Sequence, residues 1–297
     1  ALLVLVGLFS SFVLSGQAFE CPALEMRDTP RAPLYSESLL WEISGPAAQR
    51  SVVFGTMHLA ADKIAQPTPA VTAALLRNKQ FGMEVVMDFA TLLQISEQMR
   101  FPDTTTLSSI IGAELFARAS ELMQRYGVDA NTTEQLKPWA VYTTLSLPPG
   151  EFSTPLDMVL LQTAQHTNKI VFGLETLAEQ TAVFESIATA QQIALVTEVV
   201  CHYALLHAMT EDLIVRYRRG DLAGLYRHAH RVRSPAQEAL NERLLVERNR
   251  RMAERMQPHL EVGDAFIAIG ALHLPGADGV LARLAARGYR VRPLPDR

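Results

Sequence analysis

The spacing of apolar and polar positions changes period several times along the chain. Ser51–Phe54 is a short β-branched and aromatic run that stops at Gly55, the pattern of a buried strand. Before it, Leu39-Leu40-Trp41-Glu42-Ile43 and a Ser44-Gly45-Pro46 turn predict a strand and a hairpin. Pro69 to Lys79 has helical spacing, with Thr68 as cap and proline in the first turn. Phe81–Met87 reads as a second strand, and Asp88 is placed to cap the next helix. From Asp88 to about Thr167 the period is near 3.6, with breaks at Phe101-Pro102-Asp103, Gly127-Val128-Asp129 and Leu147-Pro148-Pro149-Gly150. Lys169–Leu174 reads as a third strand. Glu179 to Arg219 predicts one long helix, and Pro235 to about Met256 another, with Ser234 as its cap. Ala265–Ile269, a helix over Val280–Arg287 and a strand over Tyr289–Leu294 complete the pattern.

Strands alternating with helices predict an α/β fold with a central, mainly parallel sheet. The helical stretch over about 88–168 predicts a large helical insertion into a single domain that spans residues 19–297. The first residues differ from the rest. Ala1 to Leu14 is an uncharged apolar run, followed by the small residues Ser15-Gly16-Gln17-Ala18. At 14 residues the run is short of the roughly 20 that a membrane span needs. Residues 1–18 therefore predict a secretory signal peptide without its basic start, cut after Ala18, and an exported, periplasmic or secreted product. An uncleaved anchor or a buried helix is the alternative. In an oxidising compartment Cys21 and Cys201 would be able to pair, but sequence does not fix the distance between them.

One self-similarity carries chemistry. Val53-Phe54-Gly55-Thr56-Met57-His58-Leu59 is matched by Ala268-Ile269-Gly270-Ala271-Leu272-His273-Leu274. Each copy is an apolar strand, then Gly-x-x-His-Leu, then a loop, a helix and a strand. In a parallel sheet the C-terminal strand ends share one edge, where sites collect. The glycine is expected to let the backbone turn sharply, and both histidines then converge on one point. Imidazole suits Zn, Mn, Co or Fe. His58 and His273 would be two ligands, or one ligand and one acid/base group. Glu84, placed in the second strand, and Glu175, directly after the third, are carboxylates in apolar surroundings, which is costly unless they are paired or metal-bound. Two histidines with one or two carboxylates predict a hydrolytic metal site, with a free carboxylate as general base. Arg248, in the polar run Glu247-Arg248-Asn249-Arg250-Arg251, has a guanidinium suited to a substrate carboxylate or oxyanion. Arg250 and Arg251 read as a solvated helix face.

Composition narrows the classes. Apolar residues make up 48% and charged residues 20%, which excludes a disordered chain. The net charge of −4 argues against nucleic acid as a partner. Two cysteines exclude an all-cysteine metal site. His202, His207, His228 and His230 lack the spacing of a shared site and read as core or surface residues.

At these residues the chain resembles the TraB/PrgY/gumN/TIKI family. The matching stretches are Phe54-Gly55-Thr56-Met57-His58, Gly82-Met83-Glu84, Gly173-Leu174-Glu175-Thr176 with Glu179-Gln180, Glu247-Arg248-Asn249 with Met252, and Gly270-Ala271-Leu272-His273-Leu274. The resemblance covers about residues 35–294. Animal TIKI members are metal-dependent proteases that use Mn or Co, and other members reduce the activity of peptide pheromones. Wider relatives include esterase-like and haem-binding folds. The resemblance thus implies a divalent metal such as Mn or Co, matches His58, His273 and Glu84 to the family's motif positions, and matches Arg248 and Asn249 to a polar pair on its last long helix. With the ligand chemistry above, a divalent metal (Mn, Co or Zn) is expected on His58, His273 and Glu84, and Arg248 and Asn249 are expected to face a peptide or protein substrate. The leading expectation is an exported metal-dependent peptidase with Glu84, Arg248 and Glu175 in catalysis. The alternatives are a non-catalytic peptide- or haem-binding protein and a metal-dependent esterase.

Overall fold

The computed structural model of the protein describes residues 19–28, 31–45, 49–59, 64, 66–149 and 154–296. The expected leader over 1–18 and Pro46 of the expected turn lie outside them. The fold is α/β, with six strands in one mostly parallel sheet. The strands in chain order are β1 (Glu25–Met26), β2 (Leu40–Ser44), β3 (Arg50–Thr56), β4 (Gln80–Met83), β5 (Ile170–Gly173), β6 (Val232–Arg233), β7 (Ala265–Gly270) and β8 (Arg290–Leu294). β1 and β6 form a separate two-stranded pair, and the large sheet has the order β5-β4-β7-β3-β2-β8. β5, β4, β7 and β3 run parallel, while β2 is antiparallel to both of its neighbours, β3 and β8.

Burial follows position in the sheet. β7 is buried at all six residues and β3 at all but Arg50, so both read as continuous apolar runs. The edge strands β5 and β8 are largely open. The two β-loop-α-β units interleave. β7, which opens the second unit, lies between β3 and β4, which bound the first. Thr56 at the end of β3 therefore stands beside Gly270 at the end of β7. That register is what brings the two histidine turns together.

The helices Pro69–Arg77 and Leu156–His166 pack together, as do Arg248–Val262 and Val280–Ala286. Thr68 accepts a hydrogen bond from the Val71 amide as the expected cap, and Asp88 accepts one from Thr91. The sheet core includes Trp41, Phe54, Phe81 and Phe266 together with Leu156, Leu160 and Leu161. A second core, with Leu107, Met123, Trp139 and Val196, belongs to the helical lobe. The lobe thus recruits Thr189–Cys201, while Leu156–His166 returns to the sheet.

Several boundaries differ from the sequence reading. Glu179–Arg219 is three helices, Leu177–Glu185, Thr189–Cys201 and Tyr203–Arg218. The first two meet at 90°. A uniform 3.6-residue period does not reveal a bend, because each segment keeps its own apolar face. Pro235–Asn241 and Arg248–Val262 are joined by a π-helical turn at Glu242–Glu247. Cys21 and Cys201 are joined by a disulfide, with Cα atoms 5.5 Å apart. Among the described residues no single helix is long and apolar enough to cross a membrane.

Candidate functional site

The site lies where β3, β4 and β7 end. β4 stops at Met83, so Glu84 is the first residue past the strand and not a residue within it. The loops after β4 and β5 then run side by side: the Leu174 amide donates to the Met83 carbonyl and the Glu175 amide to the Glu84 carbonyl. This pairing extends the sheet by two residues and makes the two glutamates neighbours.

Both imidazoles face the same carboxylate oxygen. His58 Nε2 and His273 Nε2 each lie 3.6 Å from Glu84 Oε1, so the two nitrogens are at most about 7 Å apart. The far nitrogen of each ring is held. His58 Nδ1 lies 3.0 Å from Asp157 Oδ2, and the Thr56 hydroxyl donates to Asp157 Oδ1 at 2.6 Å. A carboxylate only accepts, so His58 Nδ1 carries a proton. His273 Nδ1 lies 2.6 Å from Asn249 Oδ1, while Asn249 Nδ2 donates to the Asp278 carbonyl. That second bond orients the amide and makes His273 Nδ1 a donor as well.

Gly270 supplies room. A Cβ there would stand 3.2 Å from His58 Nε2, 3.3 Å from Glu84 Oε1 and 3.4 Å from His273 Cδ2. Its φ is −52°, so the expected need for a special turn is not the reason for glycine here. The Gly270 amide also donates to Glu84 Oε1 at 2.8 Å. Gly55 is tight against the second copy of the motif, since a Cβ would meet Leu274 at 2.8 Å.

The other glutamate oxygen belongs to a buried ion network. Arg248 Nη2 donates to Glu84 Oε2 and Glu175 Oε2, both at 2.6 Å, and its Nε donates to Glu175 at 2.9 Å. Arg251 takes the remaining Glu175 oxygen at 2.7 and 3.1 Å, and Gln180 donates to both glutamates. Glu175 is therefore wholly enclosed and committed at both oxygens. The solvated reading of Arg251 gives way to a buried-carboxylate partner, because helical spacing puts it one turn from Arg248 on the same side. Asn249 has its carbonyl and one amide hydrogen committed inside the fold and is 3% exposed.

Charge follows from these contacts. Asp157 beside His58, with Glu84, raises the imidazole well above its usual range despite desolvation. His273 is pushed down to about 4, mainly by burial. Burial opposes charge on Glu84, but His273, His58 and Arg248 together hold its carboxyl well below the usual range. The two carboxylates beside His58 thus favour a proton on its ring, while burial disfavours one on His273, whose Nε2 lies 3.6 Å from Glu84 Oε1.

Sequence reasoning missed Asp157, Thr56 and the bridging part of Gln180. Asp157 had a signal: it is a lone carboxylate between Leu156 and Met158-Val159-Leu160-Leu161, the criterion that singles out Glu84. The four discounted histidines stay apart; His202, for instance, meets the Pro22 carbonyl and His228 meets Asp212. Among the described residues no group of three or more His, Cys, Asp or Glu side chains stands in an arrangement that could hold a metal ion. A cavity of about 380 Å³ opens beside His58, Glu84 and His273. No curated protein and no solved structure matches the chain. A family profile does match, over residues 39–293, and on that span the chain belongs to the TraB/PrgY/gumN family.

Proposed function

We propose that this protein is an exported metal-dependent hydrolase that cuts peptide bonds, with a divalent cation (Mn, Co or Zn) held by His58, His273 and Glu84. One observation carries the reading: two imidazoles turn their Nε2 atoms to one carboxylate oxygen while each Nδ1 is fixed by an acceptor behind it. Outer acceptors of this kind fix the tautomer and raise the basicity of metal-bound histidines. In donor type the set suits such a cation, since imidazole and carboxylate serve all three metals, and His58 would give up its Nε2 proton on binding. When bound, the cation would lower the pKa of a coordinated water from 15.7 toward about 7 and polarise the scissile carbonyl.

The chain's own residues do the rest. Asp157 and Asn249 hold the rings. Arg248 neutralises Glu84 from behind, so that the carboxylate stays ionised with Oε1 toward the imidazoles, Glu175 fixes Arg248, and Gln180 donates to both glutamates. Arg248 and Glu175 act through Glu84, because Arg248 is engaged by Glu84, Glu175 and the Leu244 carbonyl, and Glu175 by Arg248, Arg251 and Gln180. Hydrolysis adds the water oxygen to the carbonyl carbon, breaks the C–N bond and leaves the water's proton on the departing nitrogen. Export is supported by the Cys21–Cys201 disulfide, since such bonds persist in oxidising compartments.

The test compares metal content and peptide cleavage in wild type, His58→Ala and His273→Ala. Loss of both in the two variants is expected; equal metal and equal cleavage in all three overturns the proposal. An apolar cavity beside an exposed imidazole also fits a peptide or haem binder without turnover. Retained binding with no cleavage, or a Soret band on mixing with haem, would assign that role.

A further inference from the structure

The site is not at the bottom of one pocket. A second cavity, of about 420 Å³, adjoins the first, and both are lined by His58, Glu84 and Gln180. These three polar side chains form a septum between two apolar chambers of similar size, each within the usual range of small-ligand pockets. One chamber lies over the ends of β3 and β7, and Phe184, Leu213, Leu225, Leu244, Leu245 and Leu272 wall it. The other lies over the end of β4, and Met83, Val85, Met87, Leu92, Ile95 and Met158 wall it. The π-helical turn at Glu242–Glu247 supplies Leu244 and Leu245 to the first wall. Such turns recur at functional sites.

We propose that the two chambers receive apolar side chains from both sides of the bond to be cut, so that the substrate is an extended peptide crossing the septum with an apolar residue on each flank. The inference rests on the peptidase reading and deepens it. A ligand with one long apolar arm would need one chamber; two chambers around a polar septum suit a molecule whose reactive polar group lies between two apolar ones. An extended peptide has that form, since successive side chains leave the backbone in different directions while the peptide group stays polar. The walls also differ. Three methionines make the β4 side adaptable, because the unbranched thioether side chain refits to different shapes. The opposite wall is mostly leucine and branched. The flank on the leucine side is therefore the more selective.

A library of unstructured peptides, cleaved by the metal-loaded protein and read by mass spectrometry, tests this. Cleavage is expected between two apolar residues, and replacing either by serine lowers kcat/KM by about tenfold or more. Leu245→Glu should relax or invert the preference on one flank only, and Ile95→Glu on the other flank only. Both residues are half-buried, so the charges need not unfold the protein. Val262→Glu, 75% exposed at the far end of the helix Arg248–Val262, is the remote control. Cleavage indifferent to the flanking residues, or both variants acting on the same flank, overturns the inference. If no peptide is cut at all, fluorescence anisotropy with a labelled apolar-flanked peptide separates the two proposals. Binding weakened by each variant then keeps the two-chambered cleft while the hydrolytic reading falls, and no binding overturns the cleft as well.

Discussion

Replacing Arg248 with methionine removes a cation that two buried carboxylates share. The Arg248 side chain is 8% exposed, Glu84 9% and Glu175 0%. Taking one partner from a buried ion pair costs roughly 3–5 kcal/mol, because the charge left behind has lost its compensation. Here each carboxylate keeps other partners: Glu175 keeps Arg251 and Gln180, and Glu84 keeps the Gly270 amide, Gln180 and His58. The cost should therefore fall at the low end, about 3 kcal/mol. Adding Glu84→Gln to Arg248→Met removes the uncompensated charge. The double variant should then be less destabilised than the sum of the singles by about 0.5–3 kcal/mol, the range for residues in one network. Urea unfolding followed by circular dichroism, at pH 7 with a chelator and without reductant, measures all three. A loss below about 1 kcal/mol for Arg248→Met, or strict additivity in the double variant, would refute the claim that one buried network holds Glu84 in place.

Four further outcomes are expected from the same geometry. Removing the Asn249 side chain frees the His273 tautomer, so Asn249→Ala should lower metal affinity about 10–100-fold in a competition titration; unchanged affinity would detach that amide from the site. His273, with a folded pKa of about 4 against an ordinary 6.5, stays neutral while the unfolded chain takes a proton, so its contribution to stability is lost as pH falls from about 6.5 to about 4, by about 3 kcal/mol. In chelator, His273→Gln should show a flatter stability profile over that window, and an identical slope would contradict this. Gly270→Ala places a methyl 3.2 Å from His58 Nε2 and should impair metal binding while near-wild-type circular dichroism persists. The Cys21–Cys201 bond closes a loop of 180 residues, worth up to about 5 kcal/mol by chain entropy, and dithiothreitol should lower the unfolding midpoint measurably.

The residues of the site differ in how visible they are in the chain. His58 and His273 stand out because each follows a glycine that ends a strand, and that local pattern is written twice. Glu84 stands out because a carboxylate among Met83, Val85 and Val86 needs a partner. Asp157 satisfies the same criterion but is hidden inside a helical run. Nothing local marks Arg251 as different from Arg250, since their distinction is which side of a helix meets Glu175. The bend between Leu177–Glu185 and Thr189–Cys201 is likewise invisible, because amphipathic period survives a change of axis.

Sequence by itself determined the alternation of strands and helices, the α/β class, the two histidine turns and the carboxylates that need partners. These are local matters of period, side-chain polarity and the penalty for buried charge, and they hold wherever the segment goes. Only the tertiary structure decided that β7 enters between β3 and β4, that the two far imidazole nitrogens end on Asp157 and Asn249, and that Arg248 serves two glutamates at once. Strand order and partner choice depend on contacts between distant segments: His58 and His273 are 215 positions apart, and Leu40 of β2 pairs with Leu294 of β8 across 254. Such contacts are fixed when the whole core packs, and no short stretch of the chain contains them.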